Sequence, residues 1–96
     1  MSNLPTKDQC CETSRVLKLM DHPQRLLILC ALTEGPKSVG ELEVLSDAGQ
    51  SSVSQFLSRM KAEKLVKSER KANYVYYEIA DPRISELIQC MRKIFC

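Results

Sequence analysis

Residues 38–64 read SVGELEVLSDAGQSSVSQFLSRMKAEK, and this stretch decides the fold. Ser38 and Glu41 are spaced as a capping box, in which a hydroxyl and a carboxylate each satisfy a free amide at a helix start. Leu42 and Leu45 follow as the apolar contacts of that short helix. Asp47-Ala48-Gly49 marks a turn, and from Gln50 onward Val53, Phe56, Leu57 and Met60 repeat at i, i+3, i+4, i+7, which predicts a further helix ending near Lys64. Two short helices joined by a tight glycine turn make a helix-turn-helix.

On the C-terminal side, Leu65–Glu69 and Tyr74–Ile79 are rich in β-branched and aromatic residues, with Val75, Tyr77 and Ile79 alternating with Tyr74, Tyr76 and Glu78. They predict a hairpin whose tip is Arg70-Lys71-Ala72-Asn73. Asp81-Pro82 then supplies an N-cap and a first-turn proline for a last helix striped by Ile84, Leu87, Ile88, Met91 and Phe95. On the N-terminal side, His22-Pro23 opens a helix that is apolar around nearly its whole circumference, and Gly35-Pro36 stops it. Before it, Thr13, Val16, Leu17 and Met20 share one face of a first helix ending near Asp21. Residues 1–8 are expected to be a flexible N-terminal segment and 9–96 a single domain. The expected fold is mainly α with a β-hairpin: four helices, two strands and a fifth helix, a winged helix-turn-helix.

Ninety-six residues leave room for one domain with a small core, and such a core often gains from burying apolar surface against a second copy. The longest apolar run, Leu26 to Leu32, falls far short of the ~20 residues that span a bilayer, and residues 1–15 are too polar for an export signal. A cytoplasmic location without a membrane partner is expected. Five cysteines, an odd number in a chain without an export signal, then read as reduced thiols rather than a disulfide scaffold. Enzymatic use of those thiols is not expected, since the chain has no Cys-x-x-Cys, no glycine-rich phosphate loop and a single histidine; no cofactor is expected either.

Net charge is only +2, yet Arg59, Lys61, Lys64, Lys67, Arg70 and Lys71 stand against Glu63 and Glu69 alone, so this segment is +4 and the remainder −2. A concentrated basic segment in a nearly neutral chain is a polyanion footprint, although a solvated helix face has the same composition. With the apolar stripe of the fourth helix turned to the core, Ser51, Ser52, Ser54, Gln55, Ser58 and Arg59 are left for solvent. A face of hydroxyls, an amide and a guanidinium, free of Asp and Glu, can approach a phosphate-lined groove and hydrogen-bond base edges or backbone. Lys67, Arg70 and Lys71 on the wing would flank it and meet phosphates. Double-stranded DNA is the expected partner.

The segments LLILCALTEGPKSVGEL and GQSSVSQFLSRMKAEKLVKSERKANYVYYEI resemble the ArsR/SmtB family of winged-helix repressors over about residues 12–96. The matching motifs are His22-Pro23-x-Arg25, Ser51-x-x-Ser54-Gln55-x-Leu57 and Arg70-Lys71 with Tyr76-Tyr77; Phe56 stands where members often carry histidine. The resemblance implies a homodimer packed through the first and last helices, with Val16, Leu17, Leu87, Met91 and Ile94 at the interface. It also implies repression from an operator that is released when an inducer binds.

Metal-sensing members carry a Cys-x-Cys run in the third helix, where this chain has Glu43 and Leu45, and a second zinc site at the last helix, where it has Asp81 but Arg83. Neither ligand set is complete here, and zinc needs about four Cys, His or carboxylate ligands. Cys30 and Cys96 match instead the two thiols of the SqrR/BigR-type persulfide and oxidant sensors. A disulfide or longer sulfur chain between them would couple the core helix to the dimer helix. The alternative is a repressor responding to arsenite or another soft metal through Cys10, Cys11 and Cys90 or Cys96.

Overall fold

The structure, a computed structural model, describes residues 3–96. Five helices and three strands follow in the order α1 (Lys7–Leu19), α2 (Pro23–Leu32), β1 (Lys37–Ser38), α3 (Val39–Ser46), α4 (Gln50–Ala62), β2 (Val66–Lys71), β3 (Tyr74–Ile79) and α5 (Pro82–Phe95). This is a winged helix-turn-helix. The expected capping box is present: Ser38 Oγ accepts from the Glu41 amide at 3.2 Å, and the Glu41 carboxylate accepts from the Ser38 amide at 3.0 Å. A second box lies at the start of α1, where Thr6 Oγ1 accepts from the Gln9 amide and Gln9 Oε1 from the Thr6 amide. It opens α1 at Lys7, inside the stretch 1–8 assigned from composition to a loose terminus.

The core joins one face from each of four helices. Leu29 of α2, Leu42 of α3, Leu57 and Met60 of α4 and Ile88 of α5 are completely buried, with Ile28, Val53 and Val66 nearly so. Not every apolar residue expected inside is there. Leu45 and Phe95 are exposed, and α1 rests on the core through its C-terminal end, by Leu19, the C-cap Met20 and Val16.

The hairpin register runs from Val66 opposite Ile79 to Lys71 opposite Tyr74, so the turn is only Ala72-Asn73. Arg70 and Lys71, expected at the tip, are therefore the last residues of β2. The chain reverses in two residues because Ala72 adopts φ 55°, in the left-handed region. The sequence reading also lacked β1, whose two residues pair antiparallel with β3, Lys37 opposite Tyr77 and Ser38 opposite Tyr76, giving a sheet of order β1-β3-β2.

Asp81 starts α5 as expected. Its Oδ1 accepts from the Arg83 amide at 3.0 Å, and the Arg83 guanidinium donates to both carboxylate oxygens at 2.7–3.2 Å. These hydrogen bonds hold the Asp81 carboxyl below the usual range, the side-chain bonds from Arg83 first. Such a group stabilises the fold above the pKa of the unfolded carboxyl and loses that contribution as pH falls through the folded value. Asp81→Ala is expected to cost about 1 kcal/mol at pH 7. Urea titrations of both proteins should show that gap narrowing in acid, below the ordinary carboxylate pKa; a gap independent of pH would refute the assignment.

Candidate nucleic-acid interface and thiol pocket

The turn Asp47-Ala48-Gly49 aims α4 outward. Asp47 ends α3 at φ 56°, Ser46 Oγ is buried and donates to the Leu42 carbonyl at 2.6 Å, and the Gln24 amide reaches the Asp47 carbonyl at 3.3 Å. With Val53, Phe56, Leu57 and Met60 buried, Ser51, Ser52, Ser54, Gln55, Ser58 and Arg59 are all exposed on α4, as the periodicity required. None carries negative charge.

The wing divides its residues between two faces, because side chains alternate along a strand. Val66, Ser68 and Arg70 share the face turned to the core and α4, and Lys61 of α4 donates to Ser68 Oγ at 2.7 Å. Lys67 and Lys71 lie on the opposite face, where Lys67 pairs with Glu78 at 3.1 Å. So Arg70 shares a side with α4, whereas Lys67 and Lys71 flank it from the outer face. Lys61, absent from the sequence-derived set, joins the α4 side; its signal was the basic run that already included it.

The thiols fall into separate groups. Cys30, half-buried on α2, and Cys96, exposed at the end of α5, line one pocket of about 520 Å³ with Leu27 and Leu45, the cations Lys37 and Arg92 and the carboxylates Glu34 and Glu41, Lys37 pairing with Glu34 at 3.7 Å. Burial pushes the Cys30 thiol above its ordinary pKa; Arg92 opposes that rise and Cys96 adds to it. Arg92 was not singled out from sequence, although it precedes Cys96 by four residues, one helical turn, and so shares its face. Leu45, expected in the core, forms part of this pocket wall instead.

Cys10 and Cys11 are exposed on α1 beside Lys7, Arg15 and Lys18, and Cys90 is exposed on α5. Among the described residues no three His, Cys, Asp or Glu side chains of one chain converge as metal ligands. His22 caps α2, its Nδ1 accepting from the Gln24 amide at 3.3 Å.

The five residues expected at a dimer interface differ in environment. Val16, Leu87 and Met91 are half-buried against the chain's own core, and Val16 and Leu87 line a groove between α1 and α5. Leu17 and Ile94 are 47% and 70% exposed, beside Phe95 at 82%. Among the described residues no helix is long and apolar enough to cross a membrane.

The model of the arsR family of bacterial regulatory proteins matches residues 22–68. The HTH-type transcriptional regulator YgaV of Escherichia coli is 37% identical over 86 residues, covering 88% of this chain and 87% of the relative. The crystal structure of the transcriptional repressor BigR from Xylella fastidiosa superposes with a TM-score of 0.88 at 31% identity, over 100% of this chain and 98% of that one. The homodimeric winged helix-turn-helix DNA-binding domain of a possible ArsR-family regulator from Mycobacterium bovis shares the fold, with a TM-score of 0.77 at 23% identity over 98% and 89% of the two chains.

The contrast in thiol environment has a direct readout. Only the thiolate alkylates, and burial keeps Cys30 protonated to higher pH while Cys96 stands in solvent. Timed iodoacetamide labelling at pH 7.5, followed by peptide mass, should show Cys96 modified several-fold faster than Cys30. Equal rates, or Cys30 leading, would contradict the environments described.

Proposed function

The chain belongs to the arsR family of bacterial regulatory proteins, and from that premise we propose that it is a dithiol-based transcriptional repressor, binding operator DNA as a homodimer and released when Cys30 and Cys96 are bridged. The observation that carries the sensing step is their common pocket, one thiol on the core helix and the other at the end of α5. The observation behind DNA binding is the exposed, carboxylate-free face of α4 with Arg70 beside it.

The sulfur chemistry follows from exposure. The Cys96 thiolate attacks the central sulfur of an organic trisulfide RSSSR, forms an S–S bond and expels RS⁻. The Cys30 thiolate then attacks the sulfur bonded to Cys96 Sγ and expels the second RS⁻, which leaves a Cys30–S–Cys96 trisulfide. The two protein thiols lose two electrons and the polysulfide gains them. A direct disulfide, formed by an oxidant, requires Cα atoms within about 4.4–6.8 Å, whereas an inserted sulfur spans a wider gap. Arg92 favours the Cys30 thiolate at the second step, while the charge of Lys37 in the same pocket is offset by Glu34, 3.7 Å away, and by Glu41.

Either bridge ties the end of α5 to the middle of α2. In the homodimer α5 packs against its partner, so moving its end alters the spacing of the two α4 helices, which must match successive major grooves about 34–36 Å apart. A shift in that spacing lowers operator affinity by the 1–3 kcal/mol typical of coupled sites.

Two experiments test the proposal. Trisulfide treatment of the reduced protein should add one sulfur per chain as a Cys30–Cys96 crosslink visible by mass, and should release operator DNA. Cys30→Ser and Cys96→Ser should bind DNA and ignore the reagent, while Cys10→Ser, Cys11→Ser and Cys90→Ser respond normally. Release of the Cys30→Ser protein would refute the dithiol mechanism, and arsenite release through Cys10, Cys11 and Cys90 would favour the soft-metal alternative. For the dimer, Ile94→Glu is a cleaner probe than Leu87→Glu or Met91→Glu, because Ile94 is exposed in one chain and the other two pack on its core. Ile94→Glu should leave a cooperatively unfolding protomer, with a lowered midpoint as α1 loses its partner, and weaken dimerisation at least tenfold by sedimentation. A dimer of unchanged affinity would place the interface elsewhere.

A further inference from the structure

A second pocket, of about 240 Å³, opens between the start of α2 and the exposed face of α4, with Arg25, Arg59, Ser52 and Gln55 among its lining and no Asp or Glu side chain. Its floor is apolar, formed in part by Ile28, Val53 and Phe56. Arg25 is half-buried, and its guanidinium carbon lies 5.4 Å from the centroid of the buried Phe56 ring. Among the described residues Arg25 has no carboxylate partner and makes no hydrogen bond through its side chain.

A partly desolvated guanidinium without a counter-ion is costly, and a ring contact recovers only part of that cost. With no hydrogen bond or ion pair on the side chain, its N–H donors are available in the fork geometry that matches two oxygens of one phosphate. Ser52, Gln55 and Arg59 belong to the α4 surface assigned above to the DNA groove, so the mouth of the pocket is continuous with that surface.

We propose that this pocket seats one phosphate of the DNA backbone in each half-site, held by the Arg25 guanidinium that Phe56 presets, with Arg59 and Ser52 completing the seat. Arg25 is then a phosphate clamp that fixes the register of α4 in the groove without reading sequence, and Phe56 is a positioning residue. The inference rests on the operator-binding reading and adds to it a contact from outside the helix-turn-helix and the wing.

The test measures affinity across a salt series for the full-length protein on two probes, a duplex selected by the wild type from a random pool and a duplex of arbitrary sequence. Arg25→Ala should weaken binding to both by roughly ten- to a hundredfold and lower the salt slope by about one per protomer. Arg25→Lys should keep the slope and lose only part of the affinity. Phe56→Leu, which retains an apolar core residue and the cation, should weaken binding at an unchanged slope. Duplexes carrying single methylphosphonates should contain one position per half-site whose neutralisation weakens the wild type and leaves Arg25→Ala unaffected; should Arg25→Ala fail to fold, a smaller loss for Arg25→Lys than for the wild type at that position serves instead.

Wild-type affinity and slope in Arg25→Ala would overturn the phosphate seat while leaving operator binding intact. So would thermal stabilisation by millimolar inorganic phosphate that depends on Arg25, if no methylphosphonate position has an effect, since the pocket would then serve a free anion. A wild-type protein that enriches no duplex from the pool and does not bind the arbitrary one would overturn the operator reading and the seat with it.

Discussion

Everything in this chain depends on four helices meeting at Leu29, Leu42, Leu57, Met60 and Ile88, the side chains from which water is wholly excluded. Burying a large apolar side chain contributes about 1.5–3 kcal/mol, and a domain of this size has few of them. The cluster orients α4 with its polar residues outward and places β2 against it through Val66. It also draws α2 through the middle, packed on α3 and α5. The cluster holds α1 only at its C-terminal end. Thirteen residues are marginal as a helix in water, and α1 has only its last turn on the core together with an exposed Arg15–Glu63 pair at 3.7 Å. The Thr6–Gln9 capping box offsets part of that deficit locally. A partner's terminal helices against Leu17 and Ile94 would offset more, so the dimer proposed here is tied to the stability of α1 as well as to operator symmetry.

Much of the architecture was legible because its signals are local. The Ser38-x-x-Glu41 box, the Asp81-Pro82 start and the period of Val53, Phe56, Leu57 and Met60 each concern residues within two turns of one another, and each is found as read. The misses have a different physical origin. Two residues of β1 make a strand only because β3, almost forty positions later, offers them partners. The hairpin turn was read too long because Ala72 carries no sign of a positive φ, which a glycine would have displayed. Leu45 fits an apolar stripe by spacing, yet periodicity cannot say whether the face it occupies is covered by the chain itself, by a partner or by nothing.

For the site, the same division holds. The α4 face follows from helical period alone. The wing residues were chosen by charge, and strand alternation separates them: Arg70 lies with Ser68 and Lys61 on the α4 side, and Lys67 lies outside with Glu78. Charge counting could not make that distinction without the register. Nor could it find Arg25, a single cation in an apolar helix whose meaning comes from the ring of Phe56, thirty-one positions away.

These placements give α2 a part that neither site reveals alone. Its first turn carries Arg25, which touches α4 through Phe56, and Cys30 follows five residues later on the wall of the thiol pocket. Five residues of helix are about 7.5 Å of axial rise, short enough for α2 to act as one rigid element between the two pockets. Ile28 and Leu29, fully buried between them, have no slack to absorb a displacement. Tension applied at Cys30 by a bridge to Cys96 would therefore reach Arg25 and the α4 interface directly. Under this arrangement a change of dimer spacing, through α5, and a displaced phosphate clamp, through α2, are two consequences of the same bridge, and each would weaken the hold on DNA.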